Sequence, residues 1–155
     1  MFDLIIKLDS EDLKLGVDGY SQGNMTIKGE HGSTRSEYTM MIFISLCELL
    51  HNIERIMNNG INRYQFIGIE GGFSFHIIKK DNTFLLTDYE GRLISKSSAN
   101  EFVKSIWKGV DNFYSSCRPL VKEVDSGIAS MDFTLKEFKA QFSSIINFYK
   151  QLSNT

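Results

Sequence analysis

FIGIEGGFSFHIIKKDNTFLLTDYEG, residues Phe66 to Gly91, sets three apolar runs between two short turns. Its punctuation divides it into strands at residues 64–69, 73–79 and 83–89. Gly71-Gly72 and Asp81-Asn82 tolerate the positive φ angles of tight hairpin turns, so the three strands read as an antiparallel meander. They are the most apolar strands of the chain and are therefore expected at the centre of a sheet.

Upstream, Phe2, Leu4, Ile6 and Leu8 alternate with Asp3, Lys7 and Asp9, the period-two pattern of a half-buried strand. Leu13, Leu15 and Val17 repeat that alternation, and Met25 and Ile27 offer a weaker strand after the glycines at 19 and 23. The period then changes. Tyr38, Met41, Ile42, Leu46, Leu49, Ile53, Ile56 and Met57 recur at intervals of three or four, which makes an apolar helical stripe. Glu48, His51, Arg55 and Asn58 fall on the opposite face, and Asn58-Asn59-Gly60 is a stop signal.

Downstream, Ser98 and Glu101 have the spacing of a capping box, opening a helix whose stripe runs through Phe102, Val103, Ile106, Trp107, Val110, Phe113 and Tyr114. Pro119 ends it. Residues 119–132 give little signal. A last helix is expected from Thr134, with Glu137 completing a second capping box and Phe133 and Phe138 as a hydrophobic staple. Leu135, Phe138, Phe142, Ile145, Tyr149 and Leu152 would form its stripe. The expected fold is α+β: one antiparallel sheet of six or seven strands packed with three amphipathic helices, in a single domain over residues 1–155. Because the helices do not alternate with single strands, a doubly wound sheet and its phosphate site are not expected.

At 155 residues the chain can bury roughly 70% of its unfolded surface without a metal or disulfide to help. Nineteen acidic and 17 basic residues leave a formal charge of −2, which argues against a general nucleic-acid binder. Cys47 and Cys117 lie on apolar helix faces with no histidine or second cysteine at ligand spacing, so both read as buried free thiols. Two such thiols suit a reducing cytosol. Asp3 and Lys7 interrupt the apolar N-terminal run, which reads as neither a signal peptide nor a membrane span. A cytoplasmic protein with no membrane contact is the expectation.

The glycine-rich stretches GVDGYSQGN and KGEHGS lack the spacing of a P-loop or dinucleotide fingerprint, and no Gly-x-Ser-x-Gly elbow occurs. No cofactor, metal site or catalytic residue is expected. Of the histidines, His51 reads as a surface residue, His31 lies in a glycine-flanked loop, and His76 lies on a strand where Asp88 or Glu90 could approach as a general-base partner. The carboxylates are more suggestive. Residues 1–30 carry Asp3, Asp9, Glu11, Asp12, Asp18 and Glu30 against Lys7, Lys14 and Lys28. The meander turns add Asp81, Asp88 and Glu90, with Tyr89 between the last two. Tyrosine interleaved with matched charge is a common protein-binding anchor, so Asp81, Asp88, Tyr89 and Glu90 are the candidate partner-binding residues.

The long amphipathic helix, the short-turned meander and the capped aromatic helix, spanning roughly Ser36 to Cys117, resemble small immunity proteins of bacterial toxin systems. Those of contact-dependent growth inhibition come closest, in organisation and not through a shared motif. The resemblance implies a non-enzymatic cytoplasmic protein that binds a toxin domain, often a nuclease, and blocks its active site or substrate groove. A secretion chaperone and, on His31 or His76, a small hydrolase or nuclease are the alternatives.

Overall fold

The structure, a computed structural model, describes residues 1–147. It is α+β, but the strands divide into two antiparallel four-stranded sheets instead of the single sheet expected. In the first, β1 (Phe2–Leu8) pairs along its whole length with β2 (Gln22–Gly29), from Phe2 opposite Gly29 to Leu8 opposite Gly23. The short β3 (Ser33–Arg35) and β4 (Met40–Met41) both pair with the other edge of β2. The second sheet is the meander: β5 (Arg63–Ile67), β6 (Ser74–Lys80), β7 (Thr83–Asp88) and β8 (Leu93–Ser98), in that spatial order. It is a sheet of its own and not the centre of a larger one.

Strand β8 escapes sequence reading because its inward positions are serines. Ser95 and Ser97 are buried, and a register shift beside Leu86 and Thr87 disturbs the alternation further. Buried hydroxyls need partners, and Ser95 Oγ finds one in the Glu30 carboxylate at 3.1 Å.

The stretch read as a second strand is a short helix, α1 (Ser10–Leu15). Leu13 and Leu15 are exposed, so no buried face enforces the extended form. Glu11 and Asp12 in the first turn and Lys14 in the last suit the helix dipole. Val17 makes only an isolated bridge with Val121.

Helix α2 (Ile42–Met57) buries Ile42, Leu46, Leu49, Ile53 and Ile56 completely, as its period requires. It ends where Asn59 turns left-handed at φ 59°. Tyr38 and Met41 precede the helix instead of joining its stripe, and Tyr38 is exposed. Helix α3 (Ala99–Cys117) opens on the Ser98–Glu101 capping box with both reciprocal bonds made. A 3-10 turn at Arg118–Leu120 follows.

Helix α4 (Ser126–Gln141) begins eight residues before the expected Thr134. Its N-cap is Asp125, which accepts from the Ile128 amide at 2.9 Å through one oxygen and from the Gly19 amide at 2.8 Å through the other. Gly127 lies so close to Gly19 that a Cβ on it would sit 2.6 Å from the Gly19 Cα. A non-local contact thus starts this helix. Glu137 and Phe133 fall inside it, not at its start, and Phe133 is exposed, so neither the second capping box nor the staple forms. Phe138 and Phe142 are buried as expected. Helical backbone resumes at 143–147, and Tyr149 and Leu152 lie outside the described residues.

The core lies between the helices and the inner faces of both sheets. Phe102 of α3 meets Phe2 of β1 at 5.5 Å and Phe84 of β7 at 4.9 Å between ring centroids. One side chain therefore packs on both sheets. Phe43 of α2 packs on Phe113 and Tyr114 of α3. Helix α4 covers α2 through Ile128, Met131 and Phe138, and Phe138 stacks on Trp107.

Candidate partner-binding surface

The two sheets meet along two seams. At one, the His31 amide donates to the Ile94 carbonyl at 3.0 Å, and Glu30 accepts from the Lys96 amide at 2.9 Å. At the other, the Met41 amide donates to the Ile69 carbonyl at 2.9 Å, while Ser45 Oγ accepts from the Ile69 amide at 3.0 Å. The second seam straps the β5–β6 turn to β4, with buried Met40 wedged against Gly68 and Gly71. Within that turn the left-handed residues are Glu70 and Gly72, and at the next turn Asp81 alone, so each turn uses one of the two residues expected.

Beside the second seam lies an open cleft of about 420 Å³. One wall is the end of β3 and the chain from it to β4, with Arg35, Glu37 and Tyr38, and the other carries Gly72, Ser74 and Tyr89. Tyr38 is 71% exposed and Tyr89 63%. Among the described aromatics, Tyr20 at 66% and Phe133 at 65% are the others with comparable exposure, and what sets Tyr38 and Tyr89 apart is that they line one cleft.

Both tyrosines stand on braced backbone. Below Tyr38, buried Ser36 accepts from the Met25 amide at 3.0 Å, donates to Asn24 Oδ1 at 3.2 Å, and gives its own amide to the Met25 carbonyl. Below Tyr89, Asp88 closes the β7–β8 turn. Its carboxylate accepts from the amides of Glu90 (3.0 Å) and Arg92 (2.9 Å) and from Arg92 Nε (2.7 Å). Burial alone would raise the Asp88 pKa, but Arg92 and the two turn amides outweigh it and hold the carboxyl below its ordinary value. Tyr89 Oη donates to Glu90 at 2.9 Å, and Glu90 in turn pairs with Arg92 Nη2 at 2.8 Å.

The four residues expected to bind a partner therefore take different places. Asp88, Tyr89 and Glu90 share one turn, with Asp88 buried and committed to it. Asp81 sits at the opposite end of the six-residue β7, about 20 Å away by strand rise. Tyr38 and Arg35 were missed because Tyr38 fits a helical period that tertiary structure does not use.

The histidines stay apart from this cleft. His76 pairs across the strands with Gln65 and Thr87, while Asp88 stands opposite Phe75, so the register does not form the His–carboxylate pair. His31 and His51 are exposed on a turn and on α2. Among the described residues no three His, Cys, Asp or Glu side chains converge as a metal-binding group, and no helix is long and apolar enough to cross a membrane. No family model, characterised protein or solved structure matches the chain.

Proposed function

We propose that this protein is an inhibitor of the immunity type, which binds a cognate toxin domain in the cytoplasm and occludes its active site or substrate groove. The observation that carries this reading is the pair of exposed tyrosines, Tyr38 and Tyr89, on either side of a cleft with Arg35 beside them. Tyrosine and arginine dominate binding hot spots because each contributes a large contact area together with polar groups. Rigid support lowers the entropy lost on docking, and the Ser36 and Asp88 networks supply it. In this reading Asp88 positions Tyr89, while Tyr89 and Glu90 make the contact.

The toxin assignment rests on the resemblance of the sequence's organisation to that of immunity proteins, and a nuclease is the target class that resemblance implies. Docking would use an interface of about 1,600 Å². The test is co-expression with the product of the neighbouring gene. A stable complex and protection of cells are expected. Survival unchanged by this protein, with no complex by gel filtration, would reject the reading. A dimer that holds an unfolded segment of its partner would instead mark a secretion chaperone.

A further inference from the structure

The outer face of the second sheet carries a charge pattern that the whole chain does not. Strand register places Arg63, Ile78, Leu85 and Lys96 side by side across all four strands. A cation thus stands at each end of a row about 14 Å wide, with two half-buried aliphatic side chains between them. Lys80 lies on the same face two residues along β6, and Ile67, 52% exposed, lies on it at the edge strand. None of the described outward-facing strand positions is a carboxylate, although the chain as a whole is acidic at −2.

The carboxylates at the rim are mostly engaged elsewhere. Asp88 and Glu90 are paired with Arg92. Glu30 holds the Lys96 amide, Ser95 and the N-terminal ammonium. Asp81, exposed beside Lys80, and Glu70, exposed in the β5–β6 turn, are the exceptions. Among the described residues Arg63, Lys80 and Lys96 take part in no ion pair. The helices cover the other side of this sheet, through Phe66, Phe75, Ile77 and Phe84.

We infer that this open face is a docking surface for an acidic protein surface with apolar side chains among its carboxylates. Unpaired cations around an aliphatic strip complement such a surface in both charge and polarity. A single-stranded nucleic acid fits less well. Sheet platforms for bases stack them on several aromatic side chains. The meander's phenylalanines and tyrosines lie in its inner face or at its turns, which leaves His76 as the one aromatic ring among the described outward-facing strand positions. The face is continuous with the tyrosine cleft, because Ser74 belongs to both. The inference rests on the immunity-type reading and deepens it by giving the chemistry of the partner's surface beside the cleft: carboxylates with apolar side chains among them.

Poly-L-glutamate is the probe, titrated at low ionic strength into the isotope-labelled protein and followed by amide chemical shifts. Shifts concentrated on Arg63, Gln65, His76, Lys80 and Lys96 are expected. A combined Arg63→Glu, Lys80→Glu, Lys96→Glu variant with unchanged circular dichroism should weaken binding at least about tenfold. Poly-L-lysine should leave the same amides unmoved. Shifts that map elsewhere, affinity unchanged in the variant, or tighter binding of oligothymidylate at this face would each overturn the inference. Partner binding separates it from the parent reading. If Tyr38→Ala and Tyr89→Ala abolish capture of the toxin domain while the charge-reversed variant keeps the wild-type association rate and salt dependence, the acidic-partner inference fails and the inhibitor stands. If polyglutamate binds here as expected but no toxin domain is captured, the inhibitor reading fails and the surface stands.

Discussion

Asp88 is a buried carboxylate that acts on the turn carrying Tyr89. Its folded pKa is depressed, so its stabilising effect is fully present above the ordinary carboxylate value near ~4 and is lost as pH falls through the lower folded value. Asp88→Asn should cost about 1–3 kcal/mol at neutral pH, since charge-assisted bonds to a buried group are lost. The difference from wild type should shrink toward pH 3 in urea titrations, and a constant difference would rule out this role. The thiols make a second case. Burial pushes Cys117 up to about 11 and raises Cys47 as well, and the thiolate is the reacting form. Alkylation of both at pH 8 should be slow in the native protein and fast in denaturant. The sequence placed both cysteines on buried faces, and both are free, Cys117 buried and Cys47 half-buried.

Among the elements, the contact of α3 with β1 depends on the absence of a side chain. A Cβ on Gly109 would lie 2.5 Å from the Leu4 carbonyl oxygen and 2.7 Å from the Leu4 Cβ. Gly→Ala in an exposed helix normally stabilises by about 0.5–1 kcal/mol. Here Gly109→Ala should destabilise by about 1–3 kcal/mol through overpacking, so the sign of the shift in denaturation midpoint is the test. The start of α4 offers another. Asp125→Ala removes the cap and the tie to Gly19 together and should cost about 1–2 kcal/mol, measured by thermal unfolding. Long elements with one period were legible: α2, α3, β1, β6 and β7 stand close to where their patterns put them. Short or mixed ones were not. The alternation of Leu13 and Leu15 fits a strand or an exposed helical turn, and only burial separates the two.

For the whole molecule, the candidate site is a product of assembly. Tyr38 comes from the first sheet's side and Tyr89 from the second, and the cleft exists because β4 is strapped to the β5–β6 turn. If the proposed function holds, Tyr38→Ala and Tyr89→Ala should each weaken capture of the toxin domain by about 2 kcal/mol, the threshold of a hot spot. The melting temperature should barely move, because both rings are largely exposed. Loss of stability in place of binding would assign the tyrosines to the fold. Sequence reasoning found Tyr89 through its acidic neighbours and missed Tyr38, which no local pattern ties to a turn more than fifty residues away.

The sequence by itself determined the class of the fold, the meander, the two long helices and the capping box, because each follows from a period or a spacing within about twenty residues. Tertiary structure alone decided the division into two sheets, the inward serines of β8 and the Gly19 contact that begins α4. It also decided which charges remain available. Asp88 and Glu90 look like a free acidic patch in the sequence and are paired to Arg92 in the fold, whereas Arg63, Lys80 and Lys96 are scattered along the chain and share one open face. Cross-strand register brings distant residues together, and no local pattern encodes it.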